Sequence, residues 1–288
     1  METRGRARAP AAGTVVNALA TGIGSAFAIE GAATTATVML DERDTVSGEI
    51  DRYPAGDTSL IERCVELVLD RYAPRDGPTG GTVMTESDIP LAAGLKSSSA
   101  AANATVLATL AALGLDDTDR LEATTVGVRA ARDVGVTVTG ALDDASASML
   151  GGVTVTDNMA DELLAHEIVD WDVLIWTPPE QSFSADADID RCRRLGVLAD
   201  VAAELALQGR YAASMTINGF GFCAALEYPS DPLLEALAYT DGVSLSGTGP
   251  SYVAIGERTA LEHTADIWQT REGDTWLTTT QSDGAQTI

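Results

Sequence analysis

In PLAAGLKSSSA, Pro90 to Ala100, a turn containing Gly94 meets three consecutive serines, and a long Ala/Leu-rich stretch closed by Gly114 follows. That order predicts a loop, a serine-capped start and a helix. Free N–H groups at a helix start and the positive end of its dipole converge on one place, which makes an anion site. Small residues at 92–94 let a phosphate approach the backbone. Serine hydroxyls can donate to phosphate oxygens or ligate Mg²⁺, and Lys96 adds a point charge. Lys96 is also the only lysine in the chain. Taken alone, a G-x-x-S-S string is an ordinary capped helix, and the loop is not a Walker A, because G-x-x-x-x-G-K-[ST] is absent.

The 288 residues suffice for one large domain or two modest ones with a substantial core. Hydrophobic residues make up 45% and aromatics only 5%, so that core is built from Ala, Val and Leu. With 43 acidic against 18 basic residues the formal net charge is −25, which repels a phosphate backbone and excludes nucleic acid as a partner. An Asp-rich, Lys-poor surface is similar to that of salt-adapted proteins, in which high salt screens self-repulsion. No run of about eighteen apolar residues predicts a membrane span, and a cytoplasmic protein is expected. Cys64, Cys192 and Cys223 match no metal or redox spacing and read as buried thiols. His166 and His263 share no metal-like spacing. Trp171, Trp176, Trp268 and Trp276 read as core fillers.

Along the chain, 13–40 reads as strands with turns at Gly22 to Gly24 and near Glu30-Gly31. Residues 57–73 place Leu60, Ile61, Cys64, Val65, Val68 and Leu69 at helical spacing. TGGTVMTES predicts a strand, and DTDRLEATTVGVRAARDVG a helix ending at Gly135. GVTVTD and DWDVLIWTPP read as strands, with helices over roughly 188–208 and 209–226 and then DPLLEALAYT. VSLSGTGPSYVAIG reads as a short run, a Gly-rich turn and a strand, and the final TTTQSDGAQTI as frayed. A domain junction near 160 is expected, giving units 1–160 and 161–288.

PLAAGLKSSSA resembles the P-x-x-x-G-L-x-S-S-A signature of the GHMP kinases, and its GLKSSSA form is similar to that of the archaeal shikimate kinases. LSGTGPSYVAI, Leu245 to Ile255, resembles the C-terminal glycine-rich motif of the same superfamily, where this turn lies against the nucleotide loop. TGALDDASASMLGG, Thr139 to Gly152, resembles the segment that carries the family's catalytic aspartate. By G-x-x-D spacing Asp143 matches best, while counting back from Gly151-Gly152 selects Asp144. Without the other motifs, the two aspartates would read as caps of a helix beginning at Ala145.

The resemblance implies an α+β, two-domain GHMP kinase fold, with a ribosomal S5 domain 2-like N-terminal domain and a ferredoxin-like α/β C-terminal domain. It implies ATP and Mg²⁺ at a loop comprising Pro90, Leu91, Ala92, Ala93, Gly94, Leu95, Lys96, Ser97, Ser98, Ser99 and Ala100. Ser98 and, by rough spacing, Asp133 are the implied metal ligands. Phosphoryl transfer to shikimate is the implied activity; another small alcohol such as homoserine or mevalonate, or a non-catalytic nucleotide-binding protein, are the rival readings. A carboxylate substrate calls for an arginine, with Arg129, Arg132 and Arg210 available. Asn17, Thr21 and Ser25 are candidate hydroxyl-binding groups, and Asn218-Gly219 reads either as a family segment or as a turn.

Overall fold

A computed structural model describes residues 3–137, 139–180 and 187–288. The chain runs β1 (Thr3–Val16), β2 (Ile23–Asp41), β3 (Val46–Ile50), α1 (Ser59–Tyr72), β4 (Gly80–Ser87), α2 (Ser97–Ala112), α3 (Arg120–Asp133), α4 (Leu142–Leu150), β5 (Val153–Asp157) and β6 (Glu162–Glu167). It continues through β7 (Asp172–Thr177), α5 (Ile189–Arg193), α6 (Gly196–Leu207), α7 (Tyr211–Leu226), α8 (Asp231–Leu237), β8 (Gly242–Leu245), β9 (Tyr252–Gly256), α9 (Arg258–Trp268), β10 (Asp274–Thr279) and β11 (Gln286–Thr287).

The first sheet has the order β11-β1-β2-β4-β3, with β5 joining β2 and β6 joining β5. β1 shows how its two ends differ. Arg4, Arg6 and Arg8 alternate outward with buried Gly5, Ala7 and Ala9, whereas Ala9 to Val16 is buried without a break. Alternation marks a strand with one wet face and a continuous run one covered on both. The covered stretch has α2 and α4 packed against it as well as α6 and α7 of the second unit. β2 changes partner from β5 to β4 across an irregularity at Glu30 to Ala32, where Gly31 takes φ +84°. Left-handed backbone at a bulge suits glycine.

α2 is buried along nearly its whole length, including Asn103, Thr105 and Thr109. Its alanines let β1 approach closely: a Cβ on Gly5 would stand 2.0 Å from the Ala108 carbonyl oxygen. The second sheet has the order β10-β7-β9-β8, all antiparallel. With helices after its first and third strands, this is the split β-α-β of a ferredoxin-like unit. Together the two sheets form the two-domain α+β architecture that the sequence motifs imply.

β6, Glu162–Glu167, pairs with β5 in the first sheet, so the change of sheet falls between Glu167 and Asp172. The C-terminus is pinned, contrary to the frayed reading: β11 pairs with β1, Ile288 N–H donates to Arg6 O at 2.9 Å, and Ala285 is buried. Asn218-Gly219 lies inside α7 and is not a turn. The three cysteines are free and buried, and Trp176 and Trp268 are core residues.

Candidate active site

A cavity of about 550 Å³ opens between the two units. Leu91, Ala92, Gly94, Lys96, Ser97, Ser98 and Ser99 line it, opposite Gly140, Ala141, Asp143 and Asp144 and roofed by Gly247 and Thr248. Ala93, Leu95 and Ala100 are buried and hold the loop from behind; Leu95 O accepts the Ala12 N–H at 3.3 Å. Pro90 is half-buried and lies outside the lining. Within the loop Ala92, Gly94 and Lys96 take φ of 54°, 79° and 65°. Left-handed residues alternating with ordinary ones turn successive N–H groups toward a common centre, the geometry of an anion nest. Two of the three carry a Cβ there, at a cost of order 1 kcal/mol each.

α2 begins directly after Lys96. Its first turn carries no acidic residue and no side chain caps its N–H groups. The expected serine cap is thus absent, because the residue in the cap position is a left-handed lysine and the serines stand in the first turn. The donors of that turn remain for a ligand.

Opposite the loop, α4 starts at Leu142 and not at Ala145, so Asp143 and Asp144 stand in its first turn, where the dipole favours negative charge. Lys96 Nζ lies 3.0 Å from Asp144 Oδ1, with side chains 8% and 16% exposed. The approach is off the axis of a directed hydrogen bond, and Asp144 Oδ1 accepts none among the described residues. Asp143 sits deeper, 5% exposed. Its Oδ1 accepts Asn158 Nδ2 at 2.7 Å, and its Oδ2 would be 2.4 Å from a Cβ on Gly24, so only glycine fits beneath it. Burial first, then the Asp144 charge, push Asp143 up to about 7, against the pull of Lys96 and the bond from Asn158.

The glycine-rich turn between β8 and β9 closes on the serine loop. Ser246 Oγ donates to Gly94 O at 2.8 Å, and Ser251 N–H to Ala93 O at 3.2 Å. Gly94 is required at this contact, since a Cβ would stand 2.2 Å from Ser246 O. The three motifs separated in sequence therefore meet around one cavity.

Several candidates are not brought there. Asp133 turns away from the cavity and pairs with Arg63 at 2.8 Å, because the α3 residues that line the cavity, Gly127, Val128 and Ala131, lie on another face of the helix. Among the described residues no arginine lines the cavity. Arg129 is exposed, Arg132 clamps Asp161 with two contacts of 2.6 Å, and Arg210 borders a separate acidic concavity. Asn17 lines the cavity, but its amide is engaged by Gly247 O and Leu19 N–H; Thr21 and Ser25 lie outside the lining. His166 bonds Gly151 O at 2.9 Å and His263 packs edge-on against Tyr239. Sequence reasoning missed Asn158, which carries no motif, and Ile50, Tyr53 and Asp57, which wall the cavity at the end of the short strand β3 and just beyond it.

Comparison with known proteins agrees with this geometry. Residues 59–152, holding the serine loop and both aspartates, match the GHMP kinases N terminal domain. Shikimate kinase of Halobacterium salinarum is 57% identical over 98% of this chain and 99% of its own length. Shikimate kinase of Methanosarcina mazei is 48% identical over 99% and 97%. Among solved structures, homoserine kinase from Cytophaga hutchinsonii superposes with a TM-score of 0.77 at 16% identity, covering 100% of this chain and 98% of that one. Mevalonate kinase of Methanococcus jannaschii does so with a TM-score of 0.73 at 12% identity, covering 98% of each. These structural likenesses speak to the fold, while the near-full-length identities speak to descent: the chain belongs to the archaeal shikimate kinase family of the GHMP kinases.

Proposed function

We propose that this chain transfers the γ-phosphoryl group of ATP to the 3-hydroxyl of shikimate, giving 3-phosphoshikimate on the route to chorismate and the aromatic amino acids. The observation that carries the reading is the Lys96–Asp144 pair, set where an uncapped helix start, the alternating loop and a first-turn carboxylate face one cavity. The substrate comes from the near-full-length kinship with shikimate kinases.

The lining fits a nucleotide with Mg²⁺: the first turn of α2 offers uncapped donors, three serine hydroxyls and no competing acid. Gly94, Lys96 and Ser97 to Ser99 would hold the phosphates, and Ser98 would supply a hydroxyl to the metal. A Mg²⁺ ion held there would supply positive charge against the phosphates. Asp133 takes no part, being engaged by Arg63 outside the cavity.

Phosphoryl transfer asks the protein for positioning and charge neutralisation more than for covalent chemistry. Spacing ranks Asp143 before Asp144, and the contact with Lys96 supports Asp144 as the reacting carboxylate. Asp144 is the more exposed and stands beside Lys96, so it is the group to hold the acceptor hydroxyl in line and take its proton. Lys96, shared between Asp144 and the phosphate cradle, offsets charge on both sides of the reacting centre. Asp143, buried and raised toward neutrality, supports Asp144 from behind without adding a second full charge.

Three free buried cysteines suit a reducing cytoplasm, and among the described residues no helix is long and apolar enough to cross a membrane. The net charge of −25 sets the surface against nucleic acid. The deciding experiment is a coupled ADP-release assay in high KCl, with Mg-ATP and shikimate, homoserine or mevalonate in parallel. Turnover with shikimate alone is expected. Turnover with another alcohol alone would overturn the substrate, and silence with all three in folded, ATP-binding protein would overturn catalysis.

A further inference from the structure

Asn218 and Gly219 lie in the middle of α7, in the second unit, and neither lines the cavity. Asn218 is 3% exposed, yet both ends of its amide are used. Oδ1 accepts the backbone N–H of Asn17, in the first unit, at 2.8 Å, and Nδ2 donates to Ser244 Oγ at 3.1 Å. Gly219 makes that reach possible. A Cβ there would stand 2.7 Å from Ser244 Cα, so glycine alone lets helix and strand approach so closely.

Asn17 passes the connection on. Its Nδ2 donates to Gly247 O at 2.8 Å, while the Gly247 N–H donates to Thr14 Oγ1 at 2.8 Å. Gly247 is thereby gripped at both backbone polar groups by residues at the end of β1. It is also the residue against the catalytic cation: a Cβ on Gly247 would stand 2.8 Å from Lys96 Nζ. A continuous set of buried contacts therefore runs from α7 through Asn17 to the wall that confines the Lys96 ammonium.

We propose that Asn218 is a positioning residue of the phosphoryl-transfer site, fixing through Asn17 where the Gly247 turn meets Lys96. A buried amide with both ends satisfied holds a defined separation in a way that an apolar residue of similar size does not. Displacement of a catalytic group by about 1 Å can cost on the order of 10²-fold in rate. The inference rests on the kinase reading, but its test can be read without turnover.

Asn218→Leu keeps the volume and removes both hydrogen bonds; Asn218→Ser is the smaller, polar companion should the first fail to fold. Mg-ATP affinity is measured by calorimetry and kcat by ADP release, each per folded molecule as judged by the thermal transition. The expected result is Mg-ATP binding weakened about tenfold and kcat lowered about 10- to 100-fold, with the KM for shikimate nearly unchanged. Thr14→Val loosens the same turn from its other side, so the double variant should lose less than the product of the single losses. A lower melting temperature with unchanged Mg-ATP affinity and kcat would show a structural role alone and overturn the proposal. Fully multiplicative losses would overturn the shared route through Gly247. Absence of wild-type turnover with shikimate would count against the substrate reading, and the Mg-ATP affinities would still decide the role of Asn218.

Discussion

Lys96 Nζ and Asp144 Oδ1 stand 3.0 Å apart across the mouth of the helix that should receive the phosphates, and both side chains are nearly buried. A charge pair in so dry a place costs desolvation of both partners and is retained only where geometry is good or function demands it. Here the partners come from different motifs, the serine loop and the first turn of α4, and their meeting sets a carboxylate and an ammonium against one cavity.

Replacing Lys96 should therefore weaken nucleotide binding and burden Asp144. Charge-assisted hydrogen bonds contribute about 1.5–3 kcal/mol, or roughly 10- to 100-fold in affinity. Lys96→Met is expected to raise the KM for ATP by that range and to lower the melting temperature, since an unpaired carboxylate stays buried. An unchanged KM for ATP would remove Lys96 from the phosphate cradle.

The two aspartates should separate in kinetics. Asp144→Asn is expected to lower kcat by roughly 10²–10⁴-fold, the range of lost acid–base help, while Mg-ATP still binds. Asp143→Asn should cost less, because a neutral amide mimics the protonated acid that burial favours there. The opposite order, with Asp143→Asn dead and Asp144→Asn active, would return the reacting role to Asp143.

Asp143 also makes a prediction about stability. Its folded value, about 7, lies above its unfolded value of 3.8. Below pH 3.8 the group is protonated in both states and its contribution is fully present; the contribution is lost as pH rises through about 7 and is constant above. Asp143→Asn carries no such titration. The melting temperature of the variant minus that of the wild type, in fixed high salt, should grow from about pH 4 to about pH 7 and then level. A difference independent of pH would show that Asp143 ionises freely.

Strong local signals made much of this legible in the sequence. α1 follows helical spacing and α2 is an Ala/Leu-rich run with a Gly114 stop, whereas the loop before α2 is legible only through its resemblance to the GHMP signature, since its glycine and serines alone would read as an ordinary capped helix. What stayed hidden was written in contacts. β3 and β6 are short, and β6 is largely exposed, so neither shows an apolar period. β11 exists only because β1 offers an edge to a returning chain end. Asn158 and Asn218 look like any other asparagine until the fold sets one against Asp143 and the other against Asn17. Asp133 faces Arg63 and not the cavity, because spacing along a helix does not say which face a residue takes.

That face can be tested directly. Asp133 and Arg63 form a partly exposed pair at 2.8 Å, of a class that contributes about 0–1 kcal/mol. Asp133→Asn should leave kcat and its dependence on Mg²⁺ concentration unaltered and shift stability only slightly. A rise in the Mg²⁺ requirement would mean that Asp133 reaches the metal during turnover.

Salt sets two electrostatic effects against each other. Added KCl weakens exposed ion pairs such as Arg43–Asp41, Arg71–Glu122 and Arg258–Asp172, each contributing about 0–1 kcal/mol. It also screens the repulsion among 43 acidic residues that face only 18 basic ones. The pairs are short-ranged, whereas repulsion acts over the whole surface. The screening length falls from about 10 Å at 0.1 M to about 3 Å at 1 M, so distant like charges are relieved most. Repulsion should win, and the melting temperature should climb steadily as KCl is raised from 0.1 M to 1 M and beyond. Ionic screening predicts the same climb with NaCl at equal ionic strength. A melting temperature that falls or stays level with salt would mean that the local pairs outweigh the net charge of −25, and the fold would then owe nothing to screening by salt.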